Sequence, residues 1–342
     1  MLQRPTIEDV ARLAGVSTAT VSRALHEPGK VASDTATRVH VAVRDIGYTL
    51  NIAARTLRQR RSNALLVVVP NIGNTFYGEV LAGIEAAAHA AGQTILIADS
   101  AQDATREAAY LAWLHNGRAD GVFLMGRPEV DWSTVAPVPE TGQRPVVMIS
   151  EPPVIPGTPW VSIDHERGAQ DITAHLIAKG HRRIAHVTGP DTTNLRLPRL
   201  NGYRTALAAA GLPADPRYTI PGDFSADSGA RAAETLLTLT PRPTAVFCAN
   251  DEMAMGLIGA LARRGVRVPQ DISVAGFDDI QFAACFVPAI TTIRQPRRAM
   301  GHAAVALMHR LLGREGADLT APVQQILPHD LVLRDSVGPP AR

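Results

Sequence analysis

Thr18, Ala19, Thr20, Ser22 and Arg23 share the polar side of a short stretch whose other side carries Val21, Ala24 and Leu25. The polar set is small, neutral or cationic, and it holds no carboxylate. Hydroxyls and a guanidinium at this spacing can meet phosphate oxygens and base edges, and nothing among them repels a polyanion. A second set is scattered along the rest of the chain. Arg199, Asn250 and Asp278 can give paired hydrogen bonds to neighbouring hydroxyls of a polyol. Phe76, Tyr77 and Phe224 offer flat apolar surface for a sugar face or a planar base. Aromatic residues make up only 4% of the chain, so three in such loop positions stand out. Ser150 and Glu151 end a strand, and Thr193 and Leu195 stand just before Arg199. Plainer readings stand beside these. The polar stretch could be half of an ordinary helical hairpin, Arg199 a surface ion pair, Phe224 core and Asp278 a helix cap. Phe76 and Tyr77 could be interface core.

The first set needs two short helices meeting at Gly15-Val16. Ile7, Val10, Ala11 and Ala14 repeat at helical spacing, and Ser17 stands where a hydroxyl can cap the second helix. A third helix is predicted to about Ile46, capped by Ser33 or Asp34 and closed by Gly47 in the left-handed conformation. From residue 64 the pattern alternates between strand and helix. Strands are predicted at 64–69, 94–98, 121–125, 146–149, 183–187, 245–248 and 272–275. Helices are predicted at 76–91, 105–115, 200–210, 225–238 and 251–263. Repeated strand–helix units predict parallel sheets with helices on both faces, and two such series predict two lobes. Ligands of such sheets bind beyond the carboxyl ends of the strands, where the second set of residues falls.

The run Asp9-Val10-Ala11, Gly15-Val16-Ser17 and Thr20-Val21-Ser22-Arg23 resembles the signature of the lactose/galactose repressor family of bacterial transcription regulators, and later segments extend the likeness to about residue 335. The resemblance implies a helix-turn-helix head over 1–50, a linker over 51–62 and a periplasmic-binding-protein-like core over 63–342. The N-lobe would take about 63–162 and 293–325, and the C-lobe about 163–292 and 326–335. It further implies a homodimer on a pseudo-palindromic duplex operator. Thr18, Ala19 and Arg23 would then face base edges, while Thr6, Ser17, Thr20 and Ser22 hold phosphates. Asn51 would open a hinge helix that folds on DNA, with Ala54 at the contact between the two hinges and Leu57 wedged into the central base step. Leu50 stands where the family usually has proline. A plain basic linker is the other reading of 51–62. In the core, the matching Arg and Asp would bind effector hydroxyls and the aromatics would stack on its ring. Val16–Leu25, Gly222-Asp223-Phe224 and Pro243–Cys248 are similar to the cytidine-repressor and purine-repressor branches, which implies a nucleoside, ribose or purine. Another pentose or hexose is the alternative.

Charge and composition agree. Residues 1–62 hold 10 Lys/Arg against 5 Asp/Glu, while the remainder is mildly acidic. A basic head on an acidic body is the footprint of a nucleic-acid reader with a second function. No apolar run nears the ~18 residues of a membrane span, and the N-terminus lacks a signal-peptide core, so a cytoplasmic protein is expected. Cys248 and Cys285 are expected to be core thiols, without a metal or cofactor. His165-Glu166 lacks a second His at ligand spacing, and His181 and His186 read as surface or packing residues. Phosphate-loop, dinucleotide and nucleophile-elbow motifs are absent, so no enzyme is expected. A nucleoside-processing enzyme or a free sugar-binding protein remains the more distant alternative. The tail 338–342 is expected to find nothing to pack against.

Overall fold

The computed structural model describes residues 5–26, 28–48, 61–126, 135–137, 142, 144–153, 157–314 and 324–341. The chain divides into two compact units, 1–62 and 63–342. In the first, α1 (Ile7–Ala14), α2 (Thr18–His26) and α3 (Ser33–Ile46) enclose Val10, Ala14, Val21, Ala24, Val39 and Ala42. Thr6 and Asp9 form a reciprocal capping box at the start of α1, with Asp9 N donating to Thr6 Oγ1 at 3.3 Å and Thr6 N to Asp9 Oδ2 at 3.0 Å. Gly15 ends α1 at φ 66°, in the left-handed region that only glycine enters cheaply. Ser17 caps α2 by accepting from Thr20 N at 3.1 Å. The cap expected for α3 is corrected. Ala32 takes that place with no side-chain bond, and Ser33 is already the first helical residue, its carbonyl accepting the Thr37 hydroxyl at 3.0 Å. Gly47 stops α3 at φ 65°.

The second unit has two parallel sheets. The larger contains β1 (Ala64–Val69), β2 (Thr94–Asp99), β3 (Gly121–Met125), β4 (Val146–Ile149), β5 (Trp160–Ile163) and β11 (Gln324–Leu327), in the order β11-β5-β4-β3-β1-β2. β1 is central and buried along its whole length, which explains its unbroken apolar run. One face packs α4 (Phe76–Ala90) and α10 (Arg297–Leu311) on Leu65, Val67, Phe123 and Val147. The other face receives Leu111 of α5 (Ala104–His115) against Leu66, Val68 and Leu124. The smaller sheet has the order β7-β6-β8-β9, from β6 (Ile184–Val187), β7 (Thr219–Ile220), β8 (Ala245–Cys248) and β9 (Ser273–Ala275). α6 (His165–Ala178) and α7 (Arg196–Ala209) cover one face. α8 (Ala226–Thr238) and α9 (Asp251–Arg263) cover the other. β10 (Thr292–Arg294) pairs antiparallel with β12 (Asp330–Val332). The chain thus crosses between the lobes three times: after β5, after β10 and after β11.

Several expectations change. β5, α6 and α10 were not predicted, and α7 begins at Arg196, four residues before the expected start, which places Arg199 inside a helix. β11 crosses the 325/326 junction because Leu327 still pairs with Ile163. Cys248 is buried, but Cys285 is exposed on the turn after Gln281–Ala283, beside the exposed Phe282 and Val287. The tail is not loose. Gly338 N donates to Ser273 Oγ at 3.1 Å, and Pro340 packs against Gly180. Among the described residues no helix is long and apolar enough to cross a membrane, and no cluster of His, Cys, Asp and Glu is placed to hold a metal.

α4 and α10 cross where Gly83 meets Gly301. A Cβ on Gly83 would run into the backbone of Arg298, whereas one on Gly78, in the same helix, meets open space. Gly83→Ala is expected to cost about 1–3 kcal/mol by forcing the helices apart. Gly78→Ala is expected to be neutral or to stabilise by up to about 1 kcal/mol. Urea unfolding of the two variants checks this, and equal effects would contradict the close crossing.

Candidate functional site

In the head, Ser17, Thr18, Ala19 and Arg23 are exposed, and Thr20 and Ser22 are half-buried. The first turn of α2 carries no acid. Its N-terminal partial positive charge is therefore not countered from within the helix. Ser17 Oγ and Thr20 Oγ1 lie 2.9 Å apart. Thr6 is exposed, but its hydroxyl donates to Asp9 Oδ2 at 2.8 Å, so its first role is to fix α1. Asn51, Ala54 and Leu57 lie outside the described residues.

In the second unit a cavity of about 360 Å³ opens between the lobes, at the carboxyl ends of both parallel sheets. All ten residues singled out from sequence line it: Phe76, Tyr77, Ser150, Glu151, Thr193, Leu195, Arg199, Phe224, Asn250 and Asp278. Its floor is a buried ion pair. Arg199 Nη2 approaches Asp278 Oδ1 at 3.3 Å and also His165 Nδ1 at 3.3 Å, while Nη1 donates to the Ala249 carbonyl. Gln295 Nε2 donates to Asp278 Oδ1 at 2.7 Å. The guanidinium lies 4.0 Å above the Phe277 ring and 5.7 Å from the Phe224 ring. Only 2% of Arg199 is exposed, and its buried Nε–H has no partner among the described residues. Burial lowers the Arg199 pKa, and Asp278 opposes that shift. Burial likewise raises Asp278 to about 6, against the pull of Arg199. For both partners, the loss of hydration outweighs their mutual attraction.

The backbone around the cavity is held in costly conformations. Among the described residues seven other than glycine have positive φ, and four of these line the cavity: Gln102, Ser150, Phe224 and Asp278. Strain of about 1–3 kcal/mol each persists only where the surroundings enforce it. Asn250 is one enforcer. Its Oδ1 accepts from Met253 N at 3.0 Å, capping α9, and its Nδ2 donates to the Phe224 carbonyl at 2.9 Å. Asn250 is thus a cap and a support for Phe224 as well as a wall. Phe76 and Tyr77 meet edge to face at 5.5 Å, with Phe76 buried in the N-lobe core. Burial and the nearby Glu151 push the Tyr77 hydroxyl far above its ordinary pKa, so it stays a donor.

Sequence reading missed several contributors. His165 is buried and joins the lobes: its Nε2 lies 3.0 Å from the Ser150 carbonyl and 3.1 Å from Ser162 Oγ, while Nδ1 faces Arg199. Burial and Arg199 hold it well below its ordinary pKa and therefore neutral. Glu252 accepts from Thr75 N at 3.0 Å and Thr75 Oγ1 at 2.8 Å across the cleft. Glu151 accepts from Asn194 N at 2.9 Å. Glu107 and Asp223 also line the wall. His181 and His186 pack in the interior; His186 stacks on Phe247 at 4.5 Å. The cleft presents hydroxyl-matching polar groups between aromatic walls.

A three-helix head with a cationic recognition face and a two-lobed core with a cleft define a DNA-binding regulator with a small-molecule sensor. Residues 6–51 match the bacterial regulatory proteins of the lacI family, and residues 173–337 match the periplasmic binding protein-like domain. The chain is 38% identical over 304 residues to the HTH-type transcriptional repressor CytR of Escherichia coli (strain K12), covering 89% of this chain and 88% of that one. It resembles the Lac repressor dimer bound to operator and the anti-inducer ONPF, with TM-score 0.82 and 27% identity, covering 98% of this chain and all of that one. It also resembles a complex of the transcriptional regulator CelR with cellobiose, with TM-score 0.68 and 34% identity, covering 97% of this chain and 100% of that one. The chain belongs to the lacI family of bacterial regulatory proteins. It is a DNA-binding transcriptional regulator controlled by a small effector, in a family of regulators rather than enzymes.

Asp278 gives the fold a pH signature. Its carboxyl has an ordinary pKa of 3.8 and titrates near 6 in the folded chain. The folded state thus binds that proton more tightly than the unfolded state. The contribution to stability is greatest below about pH 4 and is lost as pH rises through about 6, a change of roughly 3 kcal/mol. Asp278→Asn is expected to abolish this part of the pH dependence. Urea unfolding of both proteins between these pH values checks it; parallel curves would refute it.

Proposed function

We propose that the chain is a cytoplasmic repressor that binds a pseudo-palindromic operator as a homodimer and is switched by a nucleoside, ribose or purine seated in the interlobe cleft. One observation carries the reading of the cleft: ten side chains far apart in sequence converge on one cavity with a buried Arg199–Asp278 pair and aromatic walls. Arg199 and Asp278 fix neighbouring hydroxyls, and Phe224 stacks on the ring. The likeness of Gly222-Asp223-Phe224 and Pro243–Cys248 to the cytidine- and purine-repressor branches supports the nucleoside choice, as does the identity to CytR. A free sugar is the second reading, favoured by the likeness to CelR in complex with cellobiose.

On DNA, Thr18, Ala19 and Arg23 face base edges. Thr6, Ser17, Thr20 and Ser22 set the register on phosphates, and their short side chains give modest direct readout. Leu57 supplies the rest by prising open the central base step, supported there by Asn51 and Ala54.

Retardation of the chain's own upstream DNA in a gel, repeated with each candidate effector, tests the reading as a whole. Absence of any retarded complex at low salt would refute it. Leu57→Ala is expected to weaken specific binding tenfold or more while leaving binding to random duplex nearly intact, and equal losses in a titration would remove the wedge. Log affinity should fall by about 0.9 per log unit of salt for each phosphate neutralised. Phe224→Ala is expected to weaken effector binding at least tenfold, in calorimetry, without changing operator affinity in the absence of effector. Unchanged effector affinity would take Phe224 out of the site.

A further inference from the structure

We infer that the cleft rejects phosphate, that its effector is therefore an uncharged nucleoside or sugar, and that Glu252 is the residue that enforces this choice. The inference rests on the effector reading above and narrows it. Five carboxylates line the cavity, from Glu107, Glu151, Asp223, Glu252 and Asp278, and Arg199 is the sole cation in that lining among the described residues. Arg199 is committed already, to Asp278, to the Ala249 carbonyl and to His165. Three of its five N–H groups are used in this way, and its Nε–H is buried without a partner among the described residues. A guanidinium so engaged falls short of the two-pronged grip that it can give a phosphate.

The second place a phosphate finds support in parallel α/β folds is the N-terminus of a helix beyond a strand. Here the helix starts around the cleft are occupied by the protein itself. Thr193 Oγ1 accepts from Leu195 N at 3.1 Å before α7, Ser225 Oγ from Ser228 N at 3.1 Å at α8, and Asn250 Oδ1 from Met253 N at α9. α4 is the special case. Its own Asn74 takes Phe76 N at 2.9 Å, and Thr75 N and the Thr75 hydroxyl donate to Glu252 from the opposite lobe. A carboxylate supplied by the facing lobe thus fills the position where a phosphate would seat. A phosphate ester would have to displace Glu252 and then sit beside a like charge.

Matched pairs of probes on the full chain test this, read by calorimetry and thermal shift. The pairs are ribonucleosides with their monophosphates, ribose with phosphorylated ribose, and glucose with phosphorylated glucose. At least one uncharged member is expected to bind, with its phosphorylated mate weaker by about 100-fold or more. Glu252→Ala frees the α4 donors and removes the charge, and it is expected to shrink that ratio at least tenfold. Glu252→Gln, which keeps an acceptor for Thr75, is expected to do so less. Circular dichroism and operator binding confirm that each variant is folded. A phosphorylated probe that binds as well as its mate would overturn the inference and leave the effector reading standing. An unchanged ratio in both variants would overturn the role of Glu252. Failure of every probe of either kind would sink the effector reading and this inference together.

Discussion

A cation held out of water organises the cleft. Arg199 has traded its hydration for Asp278, the Ala249 carbonyl, the neutral ring of His165 and the face of Phe277. That exchange is expensive, as the opposed shifts of burial and pairing at both ends show. It endures because each partner is fixed by something else. Asp278 is held by Gln295, which sits where the chain crosses between lobes. His165 is held by Ser150 and Ser162 at the strand ends of the N-lobe. The charge cannot shift without moving groups of both lobes. A buried pair of this kind adds little to stability as such. It specifies instead a single arrangement of polar groups at the floor of the cavity.

The support extends downward into packing. Asp251 is completely buried and accepts from the Thr292 hydroxyl at 2.6 Å and from Ile280 N at 2.9 Å, tying α9 to the crossing strand β10 and to the loop that carries Asp278. Gly276 permits this, since a side chain there would collide with the Asp251 carboxylate. Phe224 lies against Gly189 in the same manner. The aromatic wall and the acidic floor are both seated on glycines whose role is to let a neighbour come close.

The sequence disclosed the parts with strong periodicity. β1 is readable because a strand buried on both faces must be apolar throughout, and α4 and α9 because their buried residues recur at helical spacing over many turns. The head is readable because its caps and turns have chemical signatures in Ser17, Gly15 and Gly47, although the capping role of Thr6 was not seen. β5 was hidden: Trp160-Val161-Ser162-Ile163 is short, and Ser162 is polar where it meets His165. α6 was hidden because His165, Thr173 and His175 dilute its stripe, although His165 and Thr173 are buried. Among cavity residues, those whose chemistry suggests a ligand by itself, such as Arg199, Asp278 and Phe224, could be picked from loops. Glu252 and His165 could not. Their importance lies in partners more than thirty residues away, Thr75 for one and Arg199 for the other, and no local pattern encodes a contact across two lobes.

Among the described residues the lobes meet through polar contacts of Thr75 with Glu252, Asn194 with Glu151, His165 with the Ser150 carbonyl and Arg297 with the Asp279 carbonyl. Each such bond contributes about 0.5–3 kcal/mol net, more where a charged group takes part. Three chain crossings join the lobes. A ligand that touches Tyr77 on one side and Phe224 or Asp278 on the other gains its second set of contacts only when the lobes are together, so it favours that arrangement. A shift of a few kcal/mol between open and closed populations then changes their ratio by orders of magnitude. The carboxylates that bridge the lobes also line the space the ligand must enter. Selectivity and closure are therefore not separable here: a guest that disturbs Glu252 or Glu151 also loosens the contact that its own binding needs.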